Sequence, residues 1–207
     1  MPSKKSRNSA NDGRSRSRSR SGGGSRGKGK DAIALLRADH AEVTKLFQEF
    51  GKARSESRKA DLSSQICIAL SVHTCIEEEI FYPAAREALK DKDGEELIPE
   101  AKVEHATVKE FITELESAEQ DEMFAARMQV LSEYVKHHVK EEQNEMFPKI
   151  KKASGIDLKG LGAQLQSRKD ELMAQLKEGG KSRPGQAPLP SSVFSGDQEA
   201  QLHPQGG

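Results

Sequence analysis

The chain of 207 residues has no tryptophan, two tyrosines and seven phenylalanines, so aromatic residues make up 4% of it. It has two cysteines, Cys67 and Cys75. They stand eight residues apart, about 12 Å along a helix axis, which is too far for a disulfide with each other. Two thiols cannot staple a chain of this length in any case. No apolar run approaches the ~20 residues needed to cross a bilayer, so no membrane partner is expected. The Arg- and Ser-rich N-terminus lacks the apolar segment of a secretory signal. Its glycine runs also exclude an amphipathic transit helix. Hydrophobic content is 34%, low enough that part of the chain should carry no core. The expectation is a soluble, cytoplasmic protein.

Net charge is also absent, with 33 basic and 33 acidic residues, but the balance hides a polar layout. Residues 1–30 carry ten Lys/Arg and one acid, Asp12, a surplus of nine positive charges. The remaining residues therefore carry nine surplus negative charges. Arg14 to Arg20 alternates strictly with serine, and nothing apolar is present to bury, so residues 1–30 read as a disordered arm. Residues 179–207, with four prolines and six glycines and no periodicity, read as a disordered tail. Between them lies enough chain for one well-buried core.

That central part reads as all-α. Helical patterns run over about 31–50, 57–89, 97–116 and 121–151, with a shorter one over 158–178. Short polar connections predict antiparallel neighbours, hence an up-down-up-down four-helix bundle over 31–151 with a C-terminal helical extension over 152–178. The core stripes have the 3–4 spacing of buried seams. The first gives Leu36, His40, Val43, Phe47 and Phe50. The second gives Ile66, Leu70, His73, Glu77, Ile80 and Ala84. The third gives Ile98, Ala101, His105, Val108, Ile112 and Leu115, and the fourth Phe124, Met128, Leu131, Val135, His138 and Glu142. Every stripe is interrupted by histidine, and two also by glutamate. Burying one unpaired ionisable group costs several kcal/mol. Six at one level of a bundle need a stronger compensating charge, and a metal centre supplies it.

A repeat supports this reading. The step from His40 to His73 equals the step from His105 to His138, and both second members open H-x-x-x-E, with Glu77 and Glu142. Sliding the chain along itself until His40 falls on His105 aligns the halves without a gap. It lays Asp39-His40-Ala41 on Glu104-His105-Ala106 and Phe81-Tyr82-Pro83 on Met146-Phe147-Pro148. Residues i and i+4 of a helix lie one above the other, about 6 Å apart, so imidazole and carboxylate can reach one ion. Each carboxylate has two oxygens and can bridge two ions. The duplication implies two metal ions around a pseudo-two-fold axis. Imidazole with carboxylate suits iron, manganese or zinc better than calcium or magnesium.

The pattern H…HxxxE…H…HxxxE resembles the hemerythrin-like, or HHE cation-binding, domain. The blocks HTCIEEEIFYPA (73–84) and HHVKEEQNEMFPKI (137–150) look like the second and fourth helices of that family. The resemblance covers residues 31–151. It implies a non-haem di-iron centre with His40, His73, His105 and His138 as terminal ligands and Glu77 and Glu142 as bridging carboxylates. This chain departs from the oxygen-carrying members, which have a further histidine one turn after the third ligand, where Lys109 stands here. Water, Glu78, Glu104, Glu141 or Tyr134 are the candidates to fill that gap.

The expected function is therefore a di-iron protein that handles a small ligand, oxygen, peroxide or nitric oxide, in sensing, storage or stress response. The enzymatic alternative is peroxide or nitric-oxide reduction at the same centre. A third reading is a nucleic-acid-associated metal or redox regulator. Its only support is the basic arm, whose ten positive charges suffice for non-specific contact by counterion release. The arm has no aromatic residue on which a base could stack. His137 points about 100° away from His138 on the helix and is set aside as a ligand. Pro83 and Pro148 are expected to kink their helices.

Overall fold

A computed structural model describes residues 29–89, 92–117 and 122–181. The basic arm up to residue 28 and the tail from residue 182 lie outside the described residues, and the reading of both as disordered goes with them. All regular structure that is described is helical. The first helix is Ala32–Lys52. The second, residues 56–88, joins Glu56–Ile76, Glu77–Phe81 and Tyr82–Ala88 end to end. The third is Lys92–Ser117. The fourth, residues 122–152, joins Glu122–Glu141, Glu142–Met146 and Phe147–Lys152. The fifth is Leu158–Lys181.

Side-chain caps set the helix starts. Asp31 accepts from the Ala34 amide at 2.8 Å, Ser55 from that of Arg58 at 3.3 Å, and Asp157 from those of Lys159 and Gly160 at 3.1 and 3.0 Å. Each satisfies amides that the first turn leaves without a helical partner. The third helix begins at Lys92, ahead of the expected start at Leu97, because Gly94 lies inside it rather than breaking it. A Cβ at Gly94 would collide with the Leu89 carbonyl, so the glycine permits the close approach of two helix ends.

The first four helices form a ring, with first against second, second against third, third against fourth and fourth against first. Their core divides in two. One cluster joins Ile33 and Leu36 to Ile76, Phe81, Ala85, Ile98, Ala101, Phe147 and Ile150. The other joins Val43 to Ile66, Leu70, Val108, Ile112, Met128, Leu131 and Val135. Early residues of the first and third helices pack with late residues of the second and fourth, so direction alternates around the ring. Between the two apolar clusters lies the buried polar layer: His40, His73, Glu77, Glu104, His105, His138 and Glu142.

The fifth helix packs outside this ring on the first and second helices. Its Leu161, Leu165, Leu172 and Leu176 join the first apolar cluster. At Gly162 a Cβ would run into the Lys30 carbonyl and the Ala32 amide, so a bare backbone lets the helix seat against the start of the first. Arg168 donates twice to Glu79, at 2.6 and 2.9 Å, and Lys169 donates to Asp39 at 2.6 Å.

Pro83 and Pro148 do not merely kink their helices. Each follows a single wide turn, Glu77–Phe81 and Glu142–Met146, closed by i→i+5 bonds from the Tyr82 amide to the Glu77 carbonyl and from the Phe147 amide to the Glu142 carbonyl. Proline lacks the amide proton and crowds the carbonyl four residues back, and the extra residue relieves both. The wide turn shifts the inward face by one position. Beyond Glu77 the buried residues are Phe81, Tyr82 and Ala85, and the expected Ile80 and Ala84 are only half-buried. Beyond Glu142 they are Met146, Phe147 and Ile150. Phe47 and Phe50 of the first helix are also half-buried.

The fifth helix should unfold together with the bundle. Leu172→Ala in the metal-free protein is expected to cost about 2–5 kcal/mol in urea unfolding. Val103→Ala on the exposed face should stay within about 0.5 kcal/mol. A separate early transition in the Leu172 variant, with the main one unmoved, would show that the helix is not part of the cooperative unit.

Candidate metal centre

The four helices aim their histidines inward through one nitrogen each. His40 and His73 face each other across 3.0 Å through Nε2, and His105 and His138 across 3.2 Å through Nε2. Glu77 Oε2 lies 3.1 Å from His73 Nε2 and 3.4 Å from His105 Nε2. Glu142 Oε2 lies 3.2 Å from His40 Nε2 and 3.7 Å from His138 Nε2. Each carboxylate therefore touches both histidine pairs. The donor atoms form two groups, His40 with His73, Glu77 and Glu142, and Glu77 with His105 and His138, each spanning no more than 4.8 Å. All six residues singled out in the sequence come together, and Glu77 is common to both groups.

The other imidazole nitrogens face outward, and their partners obey the duplication. His138 Nδ1 meets Glu104 Oε2 at 2.6 Å, and His73 Nδ1 faces Asp39 Oδ2 at 3.7 Å. His105 Nδ1 meets Glu78 Oε1 at 3.1 Å, and His40 Nδ1 meets the side-chain amide of Gln143 at 3.1 Å. The same superposition of halves that lays His40 on His105 carries Asp39 onto Glu104 and Glu78 onto Gln143. A carboxylate at Nδ1 holds the proton there and leaves the Nε2 lone pair aimed at the centre, the tautomer a metal ligand needs.

Left to itself this layer is electrostatically uncomfortable. Burial alone would lower the His73 pKa, but the charges of Glu77 and Asp39 outweigh it and raise it to about 10. His138 is raised in the same way, with Glu142 and Glu104 overcoming burial. Burial pushes Glu77 up, yet His73 and His105 hold it well below the usual carboxylate range. Even so, Glu77 Oε1, Glu142 Oε2, His73 Nδ1 and Asp39 Oδ2 are buried without a well-formed hydrogen bond. Such orphans are costly. Converging imidazole and carboxylate lone pairs with unmet bonding capacity fit divalent metal ions.

Lys109 does not face the centre. Its ammonium donates to Glu78 at 2.8 Å, on the outer side of His105. None of the residues expected to fill the gap does so. Glu78 and Glu104 stand behind His105 and His138, Glu141 pairs with His137 at 3.0 Å, and Tyr134 packs against the second apolar cluster. The group that enters is Tyr82. Its hydroxyl donates to Glu142 Oε1 at 2.9 Å, lies 3.3 Å from Glu77 Oε2, and meets His105 Nε2 at 3.1 Å. Burial first, then the charges of Glu142 and Glu77, raise its pKa well above that of a free phenol. Straight α-helical spacing hides Tyr82, because only the wide turn swings it onto the face of Glu77. The signal available in the sequence was Pro83, six residues after the glutamate. Cys67 and Cys75 are buried without a disulfide, and burial pushes the Cys67 thiol up to about 12, which leaves it inert.

From outside, a cavity of about 270 Å³ between the first, second and fifth helices reaches His73 and Asp39 past Val43, Leu70, Lys169 and Met173. No described helix is long and apolar enough to cross a membrane.

An antiparallel four-helix bundle with a mid-level His/Glu layer is a cation-binding architecture. Residues 31–150 match the hemerythrin HHE cation-binding domain model, and the chain belongs to that family. The crystal structure of a hemerythrin HHE cation-binding domain-containing protein from Mycobacterium kansasii superposes with a TM-score of 0.65 at 25% identity, covering 79% of this chain and 99% of that one. A DNA nickase from Nostoc sp. is 27% identical over 117 residues, which is 56% of this chain and 32% of the relative. The chain thus spans about a third of the length of that curated relative.

Metal loading should displace protons. At pH 7 His73, with its pKa raised to about 10, is charged in the metal-free protein, and ligation needs it neutral. Calorimetry in buffers of different ionisation enthalpy should report at least one proton released per chain, and affinity should fall as pH is lowered. In the metal-free protein the same shift contributes stability that is complete below about 6.5 and is lost as pH rises through about 10. Loading without proton release would contradict the placement of His73.

Proposed function

We propose that the chain is a non-haem di-iron protein that handles a small ligand, oxygen, peroxide or nitric oxide, with His40, His73, His105 and His138 as terminal ligands and Glu77 and Glu142 between the ions. The observation that carries this is the overlap of two donor groups through Glu77, with every Nε2 turned inward. When bound, two ferrous ions supply two electrons to a small oxidant. The chain's own residues fix the donors from behind, through Asp39, Glu78, Glu104 and Gln143. Leu70, Val108 and Leu131 keep the space below the layer apolar. Manganese and zinc also satisfy this donor set, so the metal is the first thing to measure.

Tyr82 favours turnover as a second reading. A neutral hydroxyl inside the layer, hydrogen-bonded to Glu142, can hand a proton to a reduced ligand and be reprotonated through the carboxylate. Tyr82→Phe should then slow peroxide consumption by about 10²-fold or more with iron content unchanged. Equal rates would leave the phenol without that role.

The basic arm belongs to a third reading, nucleic-acid contact, to which the DNA-nicking relative adds a named precedent. Deleting residues 1–30 touches none of the six donors. Iron content should be unchanged, and any binding to DNA should be lost.

The decisive test of the main reading is anaerobic loading with ferrous iron, metal quantification, and optical spectra before and after air. About two irons per chain are expected. His105→Ala should bring the content down toward one, because the group of Glu77, His105 and His138 loses a donor while the other stays whole. One tightly held zinc, with no iron taken up under ferrous loading, would reject the assignment.

A further inference from the structure

The six central residues are buried, yet an ion has to reach them. We infer that Glu104, His137 and Glu141 form a separate surface site for a divalent cation that feeds the buried centre; the feeding role rests on the reading that the centre takes metal. His137 Nε2 lies 3.0 Å from Glu141 Oε1 and 3.9 Å from Glu104 Oε1, and the three offer donor atoms within 4.8 Å of one another. The His137 and Glu141 pair repeats the H-x-x-x-E spacing one residue ahead of His138 and Glu142. Glu104 faces both ways. Its Oε1 turns to the surface pair, while its Oε2 accepts from His138 Nδ1 at 2.6 Å.

A second observation gives this cluster direction. A crevice of about 10 Å³, the size of one water or bare ion, is bordered by Glu100, Glu104 and Glu141 together with His138 and Glu142. Exposed Glu100 and fully buried Glu142 both border it, with Leu97, Ala101 and Met146 between them, so it brings the Glu104 and Glu141 carboxylates next to one of the central donors.

The duplication supplies an internal control. In the other half of the repeat the positions of Glu100, His137 and Glu141 are taken by Leu35, Val72 and Ile76, which are all buried in the first apolar cluster beside the leucines of the fifth helix. Glu104 becomes Asp39, whose carboxylate Lys169 of the fifth helix neutralises at 2.6 Å. One half of the repeat closes this position with apolar side chains and an ammonium. The other half leaves it open and fills it with an imidazole and three carboxylates. A face that needed only to be wetted would not require metal-ligand chemistry at this spacing. A cleft lined by one sign of charge raises the encounter rate of an oppositely charged ion by about 10–10³-fold.

The test compares the full-length wild-type chain with His137→Ala/Glu141→Gln; Glu104 stays, because it also orients His138. Metal-free protein is mixed anaerobically with Fe²⁺, and the iron that resists a chelator quench is followed in time. In the double variant the final iron per chain should equal that of the wild type, while uptake should slow by about tenfold or more. Raising the ionic strength should slow the wild type toward the variant. Glu110→Gln, which removes one exposed charge elsewhere on the third helix, should load at the wild-type rate. Uptake by the double variant as fast as wild type would overturn the inference. A lower final iron content would also overturn it, because His137 and Glu141 would then support the centre itself. The difference in Mn²⁺ binding between wild type and double variant, followed by electron paramagnetic resonance, reads the surface site separately, because both proteins keep the six central residues. If the wild type takes up no iron, the di-iron reading fails, and Mn²⁺ binding that is equal in wild type and double variant removes the surface site as well.

Discussion

Burial of four imidazoles and two carboxylates in the middle of an apolar bundle is the constraint that the remaining architecture answers. An apolar cluster lies on either side of the layer, and each helix of the ring contributes one histidine to it. In such a setting every lone pair left unmatched is costly. Asp39 stands 3.7 Å from the outer nitrogen of His73, and the other three outer nitrogens are matched by Glu78, Glu104 and Gln143. The inner atoms are not, and Glu77 Oε1 and Glu142 Oε2 remain without partners. A layer mostly satisfied from behind, with carboxylate oxygens unsatisfied in front, is a receptor for positive charge. The family to which the chain belongs binds cations.

The wide turns after Glu77 and Glu142 couple backbone geometry to that layer. They follow from Pro83 and Pro148, and they decide what comes next on the inner face. In one half that residue is Phe147, which stacks on His40 with ring centroids 5.9 Å apart. In the other half it is Tyr82, which brings a hydroxyl among the donors. The halves differ again outside. The fifth helix covers one of them and ties Asp39 and Glu79 through Lys169 and Arg168, whereas the other presents His137 and Glu141 to solvent. A duplicated scaffold with unequal surroundings gives two non-equivalent faces to one centre.

Much of this was legible in the sequence. The stripes through His40, His73, His105 and His138, and the repeat that lays one half on the other, led to the bundle, the antiparallel order and the six His and Glu residues that meet in the buried layer. Straight helical spacing could not give Tyr82, because it carries the seam through Ile80 and Ala84 and misses the extra residue of the wide turn. The family pattern directed attention to Lys109 as a gap, but a long side chain can turn away, and Lys109 pairs with Glu78. Gly94 falls in the gap between the helical patterns over 57–89 and 97–116 and is a contact point inside the third helix, since a glycine needed for close packing looks the same in sequence as one needed for a turn. The outward partners of the histidines were within reach, because Asp39 and Glu104 occupy matched positions of the repeat.

Whether the layer holds two ions at once, bridged by Glu77 and Glu142, is answered most directly by anomalous diffraction at the iron edge from anaerobically loaded crystals. Two separate peaks per chain are expected within the layer, with electron density continuous from His40, His73, His105 and His138 through Nε2 and with Glu77 and Glu142 reaching both. A single peak at full loading, or ions held through Nδ1, would contradict the bridged pair.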